Sequence, residues 1–281
     1  MRIVRTVREL RLWSRDVRRN GPTTVGIVPT MGALHAGHQS LVRAAKSSCQ
    51  SVAVSIFVNP TQFGPHEDFE QYPRTLGADC AMLDAEGVDV VFAPSVEELY
   101  PPESATFVSV EGIESRLDGT SRPGHFRGVA TVVAKLLIAS EADRAFFGQK
   151  DAAQVAVLRR MTADLRLATE IVVCPIVREA DGLAISSRNI YLSPVERAQA
   201  LVLNRALQMV KAQVAEGVRS ADQLAETARA VFAAEPSVRV DYVAIVDAGT
   251  LVPVEQAVPG VLVAVAAWVG PTRLIDNIIV G

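Results

Sequence analysis

The chain has 281 residues, of which 49% are hydrophobic, and its formal net charge is −3. This length and apolar content can build two domains with sizeable cores. Because it has no basic run and no Lys/Arg stripe interleaved with aromatic residues, the sequence lacks the electrostatic footprint of a nucleic-acid-binding protein. The longest uncharged apolar stretch, Val261–Val269, has about half the length needed to span a bilayer, so it predicts a buried strand and no membrane partner.

The N-terminal segment and the cysteines both predict a cytoplasmic protein. Residues 1–10 alternate charged and apolar side chains and lack the apolar core of a signal peptide. Cys49, Cys80 and Cys174 are scattered, odd in number and without metal-ligand spacing, which is typical of reduced thiols. We assign them no chemical role and expect them to be buried.

The first chemical motif is PTMGALHAGH at residues 29–38, directly after the apolar strand Val25–Val28. We expect the strand to stop at Pro29 and a helix to begin just after His38, with glycines between them that let the backbone approach a ligand. The unpaired N–H groups and positive dipole end of that helix favour an anion. His35 and His38 can both point at one phosphate, so the motif indicates a nucleotide site. The alternative is two surface histidines beside a turn.

Apolar runs alternate with helical patterns as far as Val177. This alternation predicts an α/β fold with a parallel sheet, covered on both faces by crossover helices. We therefore predict a Rossmann-like domain over residues 1–176, without the G-x-G-x-x-G or Walker A motif of a dinucleotide or P-loop site. The predicted elements are strand Val25–Val28, a helix to Cys49, strand Val52–Val58, helices through Glu86, strand Val88–Ala93, helix Gly128–Ala139, strand Ala145–Phe147, a helix to Ala163 and strand Ile171–Val177.

Lys150 lies at a predicted junction between strand and helix, within the sequence FFGQKD at residues 146–151. Ligands of open α/β sheets collect at the carboxyl ends of strands, where a lysine can hold a phosphate. The alternative is an exposed lysine paired with Asp151.

Residues 178–189, READGLAISSRN, follow the last predicted strand of this domain. The hydroxyls of Ser186 and Ser187 and the guanidinium of Arg188 suit a polyphosphate whose charge moves onto the leaving group during reaction. Taken alone, this segment reads as a solvated turn. Its combination with the histidine motif favours a phosphate site.

The pattern changes after Val177, and we predict a separate α+β domain over residues 177–281. Ser193–Glu196 combines an N-cap serine, a first-turn proline and a capping-box glutamate, and two Ala-rich helices follow through Ala234. Three later strands are too close together in sequence for long crossovers, which predicts a small antiparallel sheet. They are Arg239–Val246, Val261–Val269 and Leu274–Val280.

Two further segments, NPTQF at residues 59–63 and RPGHFRG at residues 122–128, complete an ordered set of motifs. Together with the histidine, GQKD and SSRN motifs, this set resembles the pantothenate synthetase family over nearly the whole chain. That family belongs to the HIGH-type nucleotidyltransferases, relatives of class I aminoacyl-tRNA synthetases. The chain departs from the family's second signature at Ile185, where methionine is usual, so one apolar residue replaces another.

The resemblance implies an enzyme that condenses pantoate with β-alanine, uses ATP and Mg²⁺, and forms a homodimer with residues 177–281 as a mobile lid. The pantoate carboxylate attacks the α-phosphorus of ATP, which yields pantoyl-adenylate and pyrophosphate. The neutral amine of β-alanine then attacks this anhydride, and AMP leaves. His38 is the favoured proton donor, although hydrogen bonding by its neutral imidazole would serve nearly as well. The expected catalytic donors to the phosphates are His35, His38, Lys150, Ser186, Ser187 and Arg188.

The resemblance also implies the ligand contacts. Gln62 and Gln154 are expected to hold pantoate, with Gln62 also near β-alanine, because an amide both donates and accepts without repelling the substrate carboxylate. Apolar contacts to the geminal methyls are expected from Pro29, Met31 and Phe63. Contacts with ATP are expected from Met31, Gly32, Ala33, Leu34, His35, Ala36, Gly37, His38, Gly148, Gln149, Lys150, Asp151, Val177, Ile185, Ser186, Ser187 and Arg188.

The metal ligands stay open at this point. The sequence offers isolated candidates such as Asp79, and Mg²⁺ is usually held mainly by phosphates and water. His125 is expected to support the site, and His66 is expected to be solvated in a loop rich in Pro, Glu and Asp.

Two other functions remain open from the sequence. A related nucleotidyltransferase that moves AMP to a phosphate acceptor would need a further cationic clamp, whereas Gln62 and Gln154 are uncharged. A catalytically silent nucleotide-binding protein would be indicated by the loss of a motif histidine or of Lys150, and the chain retains all three.

Overall fold

The computed structural model describes residues 1–19, 21–65 and 67–281, so the expectation for His66 lies outside the described residues. The strands of the first half are β1 (Arg2–Val4), β2 (Val25–Thr30), β3 (Ser51–Ile56), β4 (Val90–Phe92), β5 (Arg144–Gly148) and β6 (Glu170–Cys174). Within the described ranges they form one sheet in the order β1-β4-β3-β2-β5-β6, and each neighbouring pair is parallel. The predicted α/β fold with a parallel sheet is confirmed.

The helices of the first half cover both faces of this sheet. Along β5, Ala145 and Phe147 belong to one apolar core, whereas Phe146 belongs to the core on the opposite face. β1 and the first helix were not predicted. Among the described residues, none of the helices is long and apolar enough to cross a membrane. The helices here are α1 (Val7–Arg19), α2 (Ala36–Ser48), α3 (Leu76–Ala85), α4 (Val96–Leu99), α5 (Asp118–Ser121), α6 (His125–Ser140) and α7 (Ala152–Asp164).

Strand β2 does not stop at Pro29, as the sequence led us to expect, but continues to Thr30. The carbonyl of Thr30 accepts a hydrogen bond from the backbone of Phe57 at 3.1 Å, so the polar backbone groups of Thr30 face the β3 side. Those of Pro29 then face the β5 side, where pairing ends at Ile27. Proline is tolerated there because no ladder hydrogen bond is lost.

Helix α2 begins at Ala36, so the prediction that it begins after His38 is wrong. His35 is the N-cap residue, with an extended backbone (φ −140°, ψ 178°), and its carbonyl accepts from the backbone N–H of Gln39 at 3.0 Å. Both histidines therefore belong to the first helical turn, where the unpaired N–H groups of the helix lie.

Two other predicted boundaries shift for local reasons. Strand β6 ends at Cys174 and not at Val177, because Pro175 follows and has no N–H for the ladder. Helix α6 begins at His125, ahead of the predicted Gly128, after Gly124 in the left-handed conformation (φ 82°).

The second half contains two helices and an antiparallel sheet. Ser193 Oγ accepts from the backbone N–H of Glu196 at 3.3 Å, and the Glu196 carboxylate accepts from the backbone N–H of Ser193 at 2.8 Å, which confirms the predicted cap. The predicted small antiparallel sheet is also confirmed, while the domain boundary after residue 176 stays a prediction. The elements are α8 (Pro194–Ala215), α9 (Ala221–Ala233), β7 (Val238–Asp247), β8 (Val261–Val269) and β9 (Thr272–Ile279), with sheet order β7-β8-β9.

Strand β8 is buried on both faces. Val263 and Val265 pack in the core formed with α8 and α9, whereas Leu262 and Ala264 join the core of the parallel-sheet half. Successive side chains of a strand point to opposite faces, so an uninterrupted apolar run is needed to fill both cores. The two halves of the protein therefore share apolar packing through β8.

We expect Leu262→Ala to lower the free energy of unfolding by about 2–5 kcal/mol, because it leaves a cavity between the two halves. Val258→Ala, at a side chain that is 52% exposed just before β8, is the control and should change stability by less than about 0.5 kcal/mol. Urea unfolding followed by circular dichroism measures both. An equal loss of unfolding free energy in the two variants would contradict the burial of β8 on both faces.

Candidate active site

The candidate site lies where the chain changes direction across the sheet. From β2 the chain proceeds to β3 on one side, and it later returns to pair β5 against the other side of β2. In open α/β sheets the carboxyl ends of two such strands border a ligand crevice. The histidine motif follows β2 and Lys150 follows β5, so this topology brings the two predicted phosphate-binding segments together.

The turn after β2 is fixed by the buried carboxylate of Asp79. Its two oxygens accept the backbone N–H groups of Ala33 at 3.0 Å and Leu34 at 2.9 Å, and the Thr75 hydroxyl donates to both at 3.3 Å. Gly32 and Ala33 have positive φ angles of 85° and 51°, a conformation that costs energy for alanine. Asp79 therefore stabilises a strained turn, a role that its isolated position in the sequence did not reveal.

His35 and His38 form a close pair of half-buried rings, with centroids 4.1 Å apart. The backbone N–H of His35 donates to Nδ1 of His38 at 3.4 Å, so the proton of the neutral His38 ring is on Nε2. Burial, then the charges of His35 and Lys150, lower the pKa of His38 to about 3. His38 is therefore a neutral hydrogen-bond donor at neutral pH, and the alternative of two surface histidines does not fit.

The amide of Gln62 is oriented by Asn59, which is 1% exposed. Asn59 Nδ2 donates to Gln62 Oε1 and to the carbonyl of Gly128, both at 3.1 Å, and Gln62 Nε2 contacts Met31 Sδ at 3.0 Å. A side chain at Gly128 would collide with the backbone of Thr61, so the two segments can approach this closely only with glycine at that position. No role was predicted for Asn59, because nothing in the sequence shows that the side chain of this NPTQF residue is buried.

His125 holds the backbone of Gln62. Burial and the charge of Arg122 lower the pKa of His125 to about 4, so the ring is neutral at pH 7. Its Nδ1–H donates to the Gln62 carbonyl at 2.8 Å, and its Nε2 accepts from Arg122 at 3.0 Å. Arg122 is itself held by Glu67 in a bidentate ion pair at 2.6 and 2.7 Å. This geometry supplies the supporting role expected for His125.

Gln62 and Gln154 line one cavity of about 190 Å³. The apolar residues expected there, Pro29, Met31 and Phe63, belong to its wall. Helix α6 adds a further apolar surface, formed by Val129, Val132, Val133 and Leu136, that the sequence pattern did not predict. The remaining lining residues are Thr30, His38, Phe57, Asn59, Tyr72, Arg122, His125, Phe147, Asp151 and Arg188.

A second, polar cleft of about 70 Å³ adjoins this cavity, and both contain Gln154 and Arg188. Here the structure brings together Lys150, Ser186 and Arg188, all predicted phosphate contacts. The alternative for Lys150 was an exposed lysine paired with Asp151: its Nζ does lie 3.8 Å from Asp151, but the side chain is only 20% exposed and faces the cleft. The other lining residues are Asp118, Arg122, His125, Phe126, Asp151, Arg273, Leu274 and Ile275.

Arg188 is charged and already paired. Its guanidinium donates to the two carboxylate oxygens of Asp68 at 2.9 and 3.2 Å, and its backbone N–H donates to Ser186 Oγ at 3.3 Å. Burial acts against the charge, but the hydrogen bond and the charge of Asp68 outweigh it and raise the pKa of Arg188. An anion that enters the cleft must therefore compete with Asp68 for this guanidinium.

Val177 and Ile185, both expected to contact ATP, are brought together by a hairpin-like turn. The backbone N–H of Ile185 donates to the carbonyl of Val177 at 3.0 Å, and Arg178 and Ala184 form an antiparallel bridge. Ile185, which stands where methionine is usual in the family, therefore lies in this turn and directly precedes Ser186.

Metal-ligating side chains do not form a cluster here. Among residues 1–19, 21–65 and 67–281, no group of three or more His, Cys, Asp or Glu side chains is placed to hold a metal ion. Both oxygens of Asp79 are occupied by backbone N–H groups, so this carboxylate does not fit the role of an isolated metal ligand. Cys49 and Cys174 are buried as expected, whereas Cys80 is half-buried.

Comparisons with known proteins find the same family at the level of sequence and structure. The family model described as pantoate-beta-alanine ligase matches residues 2–279. The pantothenate synthetase of Acidobacterium capsulatum is 58% identical over an alignment 291 positions long, which covers 100% of this chain and 97% of that protein. The crystal structure of pantothenate synthetase from Thermus thermophilus is 47% identical, with a TM-score of 0.92 and 99% of each chain covered.

A third relative was crystallised with ligands. The pantoate-beta-alanine ligase from Francisella tularensis, complexed with beta-gamma ATP and beta-alanine, is 32% identical to this chain. The TM-score is 0.78, and the match covers 99% of this chain and 97% of that one.

We expect Asp79→Ala to lower the free energy of unfolding by about 1–3 kcal/mol and to weaken ATP binding, because two backbone N–H groups of the turn lose their acceptor. Asp79→Asn keeps one acceptor oxygen, so its free energy of unfolding and its affinity for ATP should lie between those of Asp79→Ala and those of the wild type. The Mg²⁺ concentration that half-saturates ATP binding should stay within about twofold. Thermal melts and calorimetry test this, and a tenfold rise in that concentration for folded Asp79→Asn would identify Asp79 as a metal ligand instead.

The half-buried, neutral His38 should make the protein less stable in acid. Its folded-state pKa of about 3 lies below the ordinary value of 6.5, so below about pH 6.5 the unfolded chain binds a proton that the folded protein does not. Stability contributed by the neutral ring is thus present above pH 6.5 and is lost as the pH falls towards 3, by at most about 1.4 kcal/mol per pH unit.

We therefore expect His38→Gln to lose less stability than the wild type between pH 7 and pH 4.5. Urea midpoints measured at several pH values, each referred to the value at pH 8, check this. Parallel curves for the two proteins would show that His38 does not titrate differently in the folded and unfolded states.

Proposed function

This chain belongs to the pantoate-beta-alanine ligase family, and from that premise we propose how its site joins pantoate to β-alanine with ATP as co-substrate. The observation that supports the proposal most directly is the pair of adjoining spaces that meet at Gln154 and Arg188. One has apolar walls and amide groups, and the other is polar and cationic. A hydroxy acid in the first space can direct its carboxylate towards a nucleotide phosphate in the second.

Pantoate occupies the cavity lined by Gln62 and Gln154. The geminal methyls pack against Met31 and the apolar face of α6, and the amides bind the hydroxyls and the carboxylate. Asn59 and His125 fix the side chain and backbone of Gln62, so the amide is oriented before the substrate arrives. Such preorganisation lowers the entropy cost of bringing the carboxylate to the phosphorus.

ATP lies across the carboxyl ends of β2 and β5, with its phosphates in the polar cleft. The turn Met31–His38, the turn Gly148–Asp151, Val177 and the segment Ile185–Arg188 contact the nucleotide. Lys150, Ser186 and Arg188 line this cleft and His38 lines the adjoining cavity; together with His35 and Ser187, which line neither space, they are the donors proposed to stabilise charge on the phosphate oxygens while the carboxylate attacks the α-phosphorus. Arg188 exchanges Asp68 for phosphate when the nucleotide enters.

His38 contributes as a hydrogen-bond donor and not as an acid that gives up a proton. A ring with a pKa of about 3 is neutral at pH 7 and carries one N–H proton. Because Nδ1 accepts from the backbone, this proton is on Nε2, which can donate to a ligand. A donor that is already in place stabilises developing negative charge without any proton transfer. Pantoyl-adenylate and pyrophosphate result, and the neutral amine of β-alanine then displaces AMP.

Mg²⁺ is expected to reach the cleft bound to the triphosphate, where it would neutralise phosphate charge. The protein offers donors for the phosphate oxygens, and Asp79 is engaged in the turn, so the residues fit a metal held by phosphates and water. A homodimer, expected from the family resemblance alone, and a cytoplasmic location, suggested by the scattered cysteines, complete the proposal.

Transfer of AMP to a phosphate acceptor is the less suitable function. Of the cations in the wall of the cavity beside the nucleotide cleft, Arg122 is neutralised by Glu67 and Arg188 is engaged by the phosphates of ATP, so neither is available to a second phosphate. The remaining polar groups of the wall include the uncharged amides of Asn59, Gln62 and Gln154. A small hydroxy acid matches these groups better than a second phosphate does.

We expect labelled pyrophosphate to exchange into ATP only when pantoate and Mg²⁺ are present, and to do so without β-alanine. The requirement follows because adenylation precedes the amine step and is reversible. A panel of small hydroxy acids and phosphorylated acceptors tests the substrate class in the same assay. Exchange that needs β-alanine would rule out the free adenylate, and exchange supported by phosphorylated acceptors alone would favour the other function.

The same assay separates the proposed pantoate contacts from the nucleotide contacts. Gln62→Ala and Gln154→Ala should lower the efficiency with pantoate by roughly ten- to a hundredfold, since each loses a buried hydrogen-bond partner. The affinity for ATP, measured by calorimetry, should stay within about twofold. A loss of ATP affinity as large as the loss for pantoate would show that these amides do not act on pantoate selectively.

A further inference from the structure

We propose that Asn277 is a positioning residue for Lys150, which it reaches from the antiparallel sheet across the cleft. Asn277 lies on β9 and is 2% exposed. Its Nδ2 donates to the backbone carbonyls of Gln149 and Lys150, both at 2.9 Å, and its Oδ1 accepts from Gln149 Nε2 at 3.2 Å. The inference rests on the proposed role of Lys150 at the ATP phosphates.

The backbone around Lys150 depends on such a donor. Gln149–Asp151 is a single turn of 3₁₀-helix between β5 and α7, so these residues lie outside the ladder of the sheet. One primary amide has two N–H groups, and Asn277 uses them for the two consecutive carbonyls. The orientation of this turn sets the direction in which the Lys150 side chain leaves the backbone, and therefore the place of its ammonium in the cleft.

Asn277 is itself held by its neighbour Asp276, which is 3% exposed. The Asp276 carboxylate accepts a bidentate pair of hydrogen bonds from Arg178 at 2.6 and 2.9 Å, and its Oδ1 also accepts the backbone N–H of Asn277 at 2.8 Å. Arg178 additionally donates to the carbonyl of Gly182 at 3.0 Å, within the hairpin that leads to the Ser186–Arg188 segment. The pair of residues on β9 thus connects both phosphate-binding segments to one strand.

Steady-state pyrophosphate exchange tests the inference. Asn277→Ala should lower kcat by about thirtyfold and raise the KM for ATP several-fold, while the KM for pantoate stays within twofold. An aspartate has nearly the same shape as Asn277, but its carboxylate cannot donate to the carbonyls. The kcat of Asn277→Asp should therefore fall as far as that of Asn277→Ala. Gln223→Ala removes an exposed amide from α9, and this control should behave like the wild type.

A double-mutant cycle identifies the route of the effect. Because Asn277 acts through Lys150, adding Asn277→Ala to Lys150→Ala should lower the exchange rate by less than about threefold. A full thirtyfold loss in that background would overturn the inference, as would a lowered kcat that follows the folded fraction in thermal melts with the KM for ATP unchanged.

The outcomes also separate this inference from the proposed function. Near-wild-type exchange in folded Lys150→Ala would overturn the role of Lys150, and the inference with it. An inactive Lys150→Ala beside a fully active Asn277→Ala would overturn the inference alone. Should Asn277→Ala not fold, Asn277→Ser, whose hydroxyl can donate to one carbonyl, takes its place, and an unchanged kcat and KM for ATP in that variant would overturn the inference equally.

Discussion

The parallel pairing of β2 with β5 is the constraint on which the site depends. These strands lie far apart in sequence, yet Gly26 pairs with Arg144 and Ile27 with Ala145. A side chain at Gly26 would meet Cys49 Sγ at 2.9 Å and the ring of Phe146 at 3.2 Å, so the close packing behind this pairing needs glycine. The turn after β2 carries His35 and His38, and the turn after β5 carries Lys150. This pairing therefore sets the distance between the two groups.

Electrostatics reinforce the geometry by keeping most charges of the site paired before a ligand arrives. Arg122 and Arg188 are matched with Glu67 and Asp68, and the two carboxylates belong to the same segment after the NPTQF motif. Charges buried without a partner would destabilise the folded state, so the pairs let the cleft hold guanidinium groups in readiness for phosphate. That segment therefore contacts Arg188 on the nucleotide side of the cleft and, through Arg122 and His125, also supports the backbone of Gln62.

Local patterns predicted the architecture and the chemical groups, because strand alternation, caps and motif residues depend on neighbours in sequence. The capping box at Ser193 and the continuous apolar run of β8 are examples of features that can be read directly. Contacts between distant segments could not be read in this way. Asp79 and Asn277 each stabilise a turn from another element, and Asn59 links its own turn to helix α6 through Gly128, yet nothing local to these residues distinguishes a buried positioning residue from a solvated one.

The double burial of β8 has a consequence for how the two halves can move. A hinge that swung the second half away from the first would bring Leu262 and Ala264 out of their shared core into water. Apolar surface exposed in this way costs roughly 25 cal/mol per Å², so wide opening is disfavoured. Small shear displacements that keep β8 packed are compatible with this core.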